Sequence, residues 1–261
     1  MLAKEVRKGV FVYTGLSGQL AAFKHLEVIA NNLANMNTTG YRSERILFEK
    51  ALTRETTRIS SGAFDSDINQ PTNLKTDEYV GIRGSFTDFS EGSIESSGNP
   101  LDVAIQGLGF FVVNGPDGAR YTRSGNFRLD TSSRITTQDG LPVQGTGGDI
   151  VASGADIQIT NEGEVLADGK SVGKFRIVQA GPNDLERAAG MLFKPKAGAE
   201  ITELTGVRVQ GGAVEGSNVN AVRELTDMIM ASRIYDSFTK VSESSSKMSE
   251  IRNQKIGSTQ G

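Results

Sequence analysis

The sequence predicts an α+β protein in which a mostly antiparallel β body is flanked by an N-terminal and a C-terminal α-helix. Apolar residues recur at helical spacing near both ends of the 261-residue chain, and short alternating runs between turn residues fill its middle. The 31 glycines against only 6 prolines indicate many tight turns between short strands. We expect the two helices to pair in a coiled-coil-like layer, because each carries one apolar stripe.

The N-terminal region carries the pattern of a long amphipathic helix, which we predict from about residue 4 to 36. Polar residues and glycines interrupt its apolar run, so we expect a retained helix rather than a cleaved signal peptide. Residues 1–42 are then predicted to form the helix and turn that open a helical domain. The apolar stripe, at steps of four and three, consists of Leu16, Leu20, Phe23, Leu26, Ala30 and Leu33.

The predicted helix ends in an asparagine-rich stretch, NNLANMNTTG, at residues 31–40. Asn competes for backbone hydrogen bonds and costs roughly half a kcal/mol relative to Ala inside a helix. Polar side chains at the ends of packed helices can bond across subunits and fix their register. We therefore predict subunit contacts for Asn31, Asn32, Asn35 and Asn37. The alternative is a frayed helix end that is exposed to solvent.

The central part of the chain has two regions of different character. Residues 43–80 are polar, mixed in charge and weakly periodic, and we predict an extended connector there. Residues 81–215 show short apolar runs separated by turn residues and predict a β-rich domain. Its clearest hairpin signal is the run GFFVV, the turn NGPDG and the run RYTRSGNF.

Helical spacing returns in residues 216–261, which we predict to complete the helical domain. Asn218 or Asn220 can act as the N-cap of a helix from about 220 to 253. The residues of this region that we expect in a subunit interface are Asn218, Asn220, Val222, Leu225, Ile229, Ile234, Phe238, Val241 and Met248.

The lengths of the two helices point to assembly. A helix of about 33 residues is about 50 Å long, more than a small β body could cover. The stripes must therefore be buried against each other or against copies in neighbouring subunits. The N-terminal stripe and the C-terminal row are thus predicted to form one subunit interface.

Composition argues against several kinds of chemistry. The 28 basic and 31 acidic residues leave a net charge of −3, so no basic field is available for nucleic acid. The chain has no Cys, and His25 is its only histidine, which makes a Ser-His or Cys-His nucleophile improbable. We predict no enzymatic activity, no cofactor and no metal. No apolar run approaches the length of a membrane span, so we expect no direct membrane insertion.

Four stretches, in order along the chain, resemble signatures of the axial proteins of the bacterial flagellar rod and hook. The first differs from the usual pattern mainly at Met36, where Val or Ala is common. The stretches are YTGLSGQ with VIANNLANMNTTGYR within residues 13–42, TDFSEGSIESSGNPLDVAIQGLGFFVV at 87–113, YTRSGNF at 121–127 and VEGSNVNAVRELTDMI at 214–229.

The resemblance implies a non-enzymatic structural subunit of the flagellar basal body. Such a subunit is exported uncleaved by the flagellar type III apparatus. It polymerises in the periplasm, with copies of itself and other rod proteins, into a helical tube that transmits torque. Its terminal helices line the export channel, and its β domain forms an outer layer.

Placement within the family leaves alternatives open. The short polar connector and the C-terminal stretch favour a proximal rod protein over a distal rod or hook-type subunit. Outside the family, the alternatives are a surface adhesin-like protein that oligomerises through its helices and a carboxylate-dependent cell-wall hydrolase.

Overall fold

A computed structural model describes residues 2–54, 76–181 and 183–257 of the chain. Two long helices lie near its ends, α1 (Leu2–Ala34) and α2 (Ala221–Gly257), close to the predicted bounds. No helix in these described ranges is both long and apolar enough to span a membrane.

The first two strands occupy the region that we predicted as an extended connector. Strands β1 (Glu44–Arg54) and β2 (Thr76–Thr87) pair in a two-stranded sheet, so both ends of residues 43–80 contain strands that we did not predict. Exposed apolar residues follow one another in β1 instead of alternating with polar ones, so periodicity gave no strand signal. The middle of the predicted connector, residues 55–75, lies outside the described residues.

The β body confirms the predicted α+β class with mostly antiparallel pairing. Six strands form its largest sheet, in the order β15-β16-β6-β5-β14-β17. Smaller sheets pair β18 with β4, β19 with β3, β7 with β8, β9 with β10, and β11-β12-β13 in series. The strands are β3 (Ile94–Ser96), β4 (Val103–Gln106), β5 (Phe110–Gly115), β6 (Gly118–Thr122), β7 (Arg128–Leu129), β8 (Ile135–Thr136), β9 (Gln144–Gly145), β10 (Gly148–Asp149), β11 (Ile157–Ile159), β12 (Glu164–Ala167), β13 (Lys170–Lys174), β14 (Ile177–Ala180), β15 (Leu185–Arg187), β16 (Leu192–Pro195), β17 (Ile201–Glu203), β18 (Arg208–Gly211) and β19 (Ala213–Glu215).

Strand β5 lies at the centre of the core and contributes to both of its apolar clusters. Successive side chains of a strand point to opposite faces of the sheet. Phe111 packs edge-to-face on Phe127 in one cluster, with ring centroids 5.1 Å apart. Phe110 packs on Phe193 in the other, at 5.8 Å. Burial of both faces explains why this strand is continuously apolar rather than alternating.

The chain forms two compact units. The first comprises Met1–Ile29, Ile46–Ser85 and Leu225–Gly261, and the second comprises Ala30–Arg45 and Phe86–Glu224. The last turn of α1 and the first residues of α2 thus belong to the same unit as the β body. This division differs from the boundaries that we predicted after residues 42 and 215, and a set of buried polar contacts explains it.

Within the first unit, the two helices contact each other. The ring of Phe238 on α2 lies so close to Gly18 on α1 that a Cβ atom there would be 2.4 Å from it. Gln19 Nε2 donates a hydrogen bond of 3.2 Å to Thr239 Oγ1. Phe238, which we predicted in the subunit interface, is therefore half-buried against its own chain. The coiled-coil-like geometry of the layer stays a prediction.

Candidate functional site

A buried polar cluster, which we call the joint, connects the end of α1, the start of α2 and the β body within the second unit. Its side chains come from distant parts of the sequence and are almost completely shielded from solvent. They are Asn32, Tyr41, Arg42, Arg123, Glu215 and Glu224.

Glu215 lies between two arginines at the centre of the joint. Arg42 Nη2 donates to Glu215 Oε1 at 2.6 Å, and Arg123 Nε donates to Glu215 Oε2. The backbone N–H of Gly92 also donates to Oε1, at 2.9 Å. Burial lowers the pKa of Arg123, and the negative charge of Glu215 opposes that shift. Charges buried this deeply are tolerated only when they are paired and hydrogen-bonded, and Glu215 meets both conditions.

Asn32 and Glu224 form the second part of the joint. Asn32 Oδ1 accepts hydrogen bonds from the Tyr41 hydroxyl at 3.0 Å and from the Glu44 N–H at 2.9 Å. Asn32 Nδ2 donates to the Glu44 carbonyl and to Glu224 Oε2, at 2.9 and 3.3 Å. Glu224 also pairs with Arg45, with 3.2 Å between Nη1 and Oε1. Asn32 therefore has four hydrogen-bond partners inside its own chain, and its predicted contact with a neighbouring subunit stays a prediction.

The turn after α1 places Tyr41 against the β body. Gly40 has a φ of +70°, and a Cβ atom there would lie 2.4 Å from the backbone nitrogen of Ser124. The Gly40 N–H donates to the Glu215 carbonyl at 2.7 Å. The Arg187 guanidinium lies 4.9 Å from the centroid of the Tyr41 ring. Burial raises the pKa of the Tyr41 hydroxyl, with the Arg187 charge opposing the shift, so the hydroxyl remains a donor at neutral pH.

The two C-terminal asparagines also act within the chain. Asn220 is the N-cap of α2, because its Oδ1 accepts the N–H of Arg223 at 3.0 Å. Asn218 instead joins two loops. Its Oδ1 accepts from the Ser43 N–H at 2.7 Å, and its Nδ2 donates to the Asp88 carbonyl at 2.8 Å. These bonds explain both residues without a second subunit.

The other asparagines of the opening stretch lie nearer the surface. Asn35 Nδ2 donates to Asn31 Oδ1 at 3.0 Å, and the Thr38 hydroxyl donates to Asn35 Oδ1 at 3.2 Å. Asn31 and Asn37 are exposed, and Asn35 is half-buried. Their contact with neighbouring subunits stays a prediction.

Most of the predicted apolar interface is exposed in the single chain. Leu16 and Leu20 on α1 are 55% and 64% exposed, while Ile229 and Met248 on α2 are 55% and 64% exposed. Leu26 and Leu33 are half-buried. The remaining exposed members are Phe23, Val222, Leu225, Ile234 and Val241.

The described residues contain no group of three or more His, Asp or Glu side chains arranged to hold a metal ion. The ring of His25 packs edge-on against Phe48, with centroids 5.4 Å apart. It thus has an aromatic neighbour in its own unit.

Sequence reasoning missed the charged members of the joint. Arg42, Arg123, Glu215 and Glu224 all lie inside the four stretches that carried the family resemblance. The presence of these charged residues within stretches that resemble family signatures was the only sequence signal that they have a structural role. Their pairing was not visible, because Arg42 and Glu215 are 173 positions apart.

A β body joined to two helices with exposed apolar rows defines a structural subunit built for assembly. Comparison with known families gives three matches in the same order as the quoted stretches. The family described as flagella basal body rod protein matches residues 12–42. The flagellar hook protein FlgE/F/G D1 domain matches residues 104–167, and the flagellar basal body rod FlgEFG protein C-terminal family matches residues 210–254.

Similar proteins cover nearly the whole chain. The flagellar basal-body rod protein FlgG of Caulobacter vibrioides is 31% identical over 92% of this chain and 97% of its own length. FlgG of Agrobacterium fabrum is 32% identical over 91% of this chain and 95% of its own length. FlgF of Salmonella typhimurium is 30% identical over 88% of this chain and 91% of its own length. The chain belongs to the family of flagellar basal-body rod proteins.

We expect Glu215→Gln to lower the free energy of unfolding of the isolated subunit by about 3 kcal/mol, because two buried guanidinium groups lose their counter-charge. Urea denaturation measures the loss. The matched control is Glu186→Gln, since Glu186 pairs with Lys194 at 2.8 Å on the surface, where both are 45% exposed. The control should be indistinguishable from the wild type. Equal effects of the two substitutions would contradict the importance of the buried pairing.

We also expect Gly40→Ala to destabilise the subunit more than Gly198→Ala. The two glycines have similar φ angles, +70° and +81°, but only Gly40 faces backbone atoms, whereas Gly198 faces open space. Gly198→Ala should therefore cost about 1 kcal/mol from backbone strain alone. Gly40→Ala should cost more than twice as much, because its Cβ also meets Ser124. Thermal unfolding of the purified variants gives the comparison, and equal melting temperatures would count against close docking of this turn.

Proposed function

We propose that this chain is a structural subunit of the flagellar basal-body rod. It assembles with copies of itself and with other rod proteins, and it functions in the basal body as part of the motility apparatus. Its family membership supports this role over nearly the full length of the chain.

The observation that carries the proposal is the exposure of the apolar rows on α1 and α2. Burying a Leu or Ile side chain contributes about 1.5–3 kcal/mol relative to leaving it exposed. Side chains such as Leu20 and Ile229 are more than half exposed in the single chain, so most of that free energy is still available for association. Repeated around a tube, these contacts would supply the cohesion of the rod.

The finer proposal concerns the place of the subunit within the tube. The helices would form the inner layer that lines the export channel, the β body would form the outer layer, and the assembly would transmit torque across the periplasm. The chain would reach that site uncleaved, through the flagellar type III export apparatus. The flagellar resemblance of the terminal helices supports this arrangement.

Position along the rod is a separate proposal. We favour the proximal rod because of the polar segment after α1 and the C-terminal stretch at 214–229. Relatives named FlgF and FlgG match at similar identity, so a distal position remains the alternative. Labelling the chain in purified basal bodies and measuring the height of the label above the inner membrane distinguishes the two positions.

Ile229→Asp tests the role of the apolar rows. We expect the isolated subunit to unfold like the wild type, because Ile229 is already exposed to water. Completed rods should be lost, because assembly would bury an unpaired charge at every repeat of the contact. The measurements are subunit abundance by immunoblot and the count of completed basal bodies by electron microscopy. The matched control is Ser246→Asp, an exposed serine of the same helix that does not share the face of Ile229, and equal rod counts in both strains would refute the interface assignment.

The asparagines of the opening stretch should separate into two roles. Replacing Asn31 and Asn35 together with Ala raises helix propensity by about 1 kcal/mol, so the isolated subunit should be at least as stable. Rod completion should fall if their amides contact neighbouring subunits, because buried partner groups would lose hydrogen bonds. Asn32→Ala is the contrasting variant and should unfold at lower urea concentration, since its four bonds lie within the chain. Wild-type rod counts in the double variant would make Asn31 and Asn35 an ordinary helix end.

A further inference from the structure

Beside the joint, the second unit contains a cavity of about 290 Å³. Phe89, Leu108 and Phe110 supply much of its apolar wall, and the joint arginines Arg42 and Arg123 also line it. A protein cavity of roughly 150 Å³ with apolar walls can hold a benzene molecule. This cavity therefore has room for a large apolar side chain.

Arg42 also places a hydrogen-bond donor at the cavity that needs an acceptor. Its Nη1 group is buried and has no hydrogen-bond partner among the described residues, although Nη2 of the same guanidinium pairs with Glu215. A buried donor without an acceptor is unfavourable, and a carboxylate is the strongest acceptor that a protein can offer a guanidinium. Glu91 also lines the cavity, but it is exposed, so solvent screens its charge. An incoming carboxylate is thus favoured at the Arg42 side of the cavity.

The rim of the cavity is held in place by the joint. Arg123 donates from Nη1 to the Gly109 carbonyl at 2.5 Å and from Nη2 to the Ile105 carbonyl at 3.0 Å. These bonds fix a loop in which Gly107 has a φ of +91°. Leu108 at the tip of this loop is 63% exposed. A fixed apolar group at the rim lowers the ordering cost of a docking partner.

We propose that this cavity is the docking site for strand β1 of a second copy of this chain. Leu47 of the second copy would enter the apolar part, and its Glu49 would pair with Arg42. The proposal rests on the proposed function, because a rod subunit has copies of itself as neighbours. A contact between two different surfaces of identical chains also suits an open helical assembly.

Charge complementarity favours this segment of the chain. Leu47 and Glu49 are two positions apart in a strand, so they lie on the same face, and both are exposed. Glu49 makes no hydrogen bond or ion pair with the described residues. On α1 the comparable combination is Phe23 with Glu27, but Glu27 is already paired with Lys24 at 2.8 Å. Strand β1 therefore offers an apolar side chain together with an unused carboxylate.

Because the chain contains no Cys, an introduced cysteine can form a disulfide only with another introduced cysteine. One allele carries Leu47→Cys and a second allele carries Gln179→Cys, at an exposed position that lines the cavity. Both are expressed in one cell, and basal bodies are purified under mild oxidation. Each chain has a single thiol, so a disulfide between residues 47 and 179 can form only between copies. Such a bond requires Cα atoms within about 4.4–6.8 Å of each other.

The expected result is a mixed disulfide at twice the subunit mass of 27.9 kDa, which is lost on reduction. The control pair is Ile94→Cys with Gln179→Cys, which places a thiol at another exposed apolar position and should give no mixed species. If the chain is present in basal bodies and the 47–179 species is absent or no stronger than the control, the docking proposal is overturned. If the chain is absent from basal bodies, the proposed function itself fails.

Photo-crosslinking gives a second measurement that does not depend on disulfide geometry. Benzoylphenylalanine at position 179 should crosslink to the tryptic peptide Ile46–Lys50 of another copy. The reciprocal placement at position 47 should crosslink to the peptide Gly84–Arg120, which contains Leu108. Crosslinks from both positions to other peptides, or to a different rod protein, would overturn the assignment.

Discussion

The buried pairing of Glu215 with Arg42 and Arg123 is the constraint on which the second unit depends. Each of these groups would be very unfavourable alone in the protein interior, so the segments that carry them must come together in one folding event. Arg42 follows α1, Arg123 follows β6, and Glu215 ends β19. Because of the joint, the C-terminal end of α1 and the N-terminal end of α2 belong to the same unit as the β body, although their sequence pattern is helical.

The same constraint explains why a helix that ends at Ala34 carries poor helix formers in its last turn. Asn32 accepts two hydrogen bonds and donates two, which a nonpolar residue of any shape could not do. Its low helix propensity is offset by four hydrogen bonds, two of which, to Tyr41 and Glu224, are buried. Asn31 and Asn35 lie on a different side of the helix and bond mainly to each other, so one run of asparagines contains residues in two distinct environments.

Local patterns in the sequence were sufficient for the elements but not for the joint. The stripes predicted both helices within a few residues, and the run at 110–113 with its turn predicted the β5–β6 hairpin, because these signals depend on near neighbours. Strand β1 was missed, since its apolar residues Leu47 and Phe48 are adjacent instead of alternating with polar ones. Strand β2 does alternate at Val80, Ile82 and Phe86, but the predicted β region began only at residue 81. The joint was missed because Asn32 and Glu224 are 192 positions apart, and no periodicity connects such residues. Of the candidate interface residues, the apolar rows are mostly exposed in the single chain, as an interface requires. The sequence did not show that Asn32 and Asn218 make hydrogen bonds within their own chain.

Buried polar groups stabilise the single subunit, whereas the exposed apolar rows are available for assembly. Asn32, Asn218 and Glu215 all have their principal partners within one chain, so the second unit does not require a neighbour to satisfy them. The apolar rows, by contrast, gain free energy only when another surface covers them. Hydrophobic burial is non-directional and therefore specifies register poorly. The register between subunits must then be set by a few polar groups. Arg42 Nη1, a buried donor that has no acceptor among the described residues, is a group of this kind.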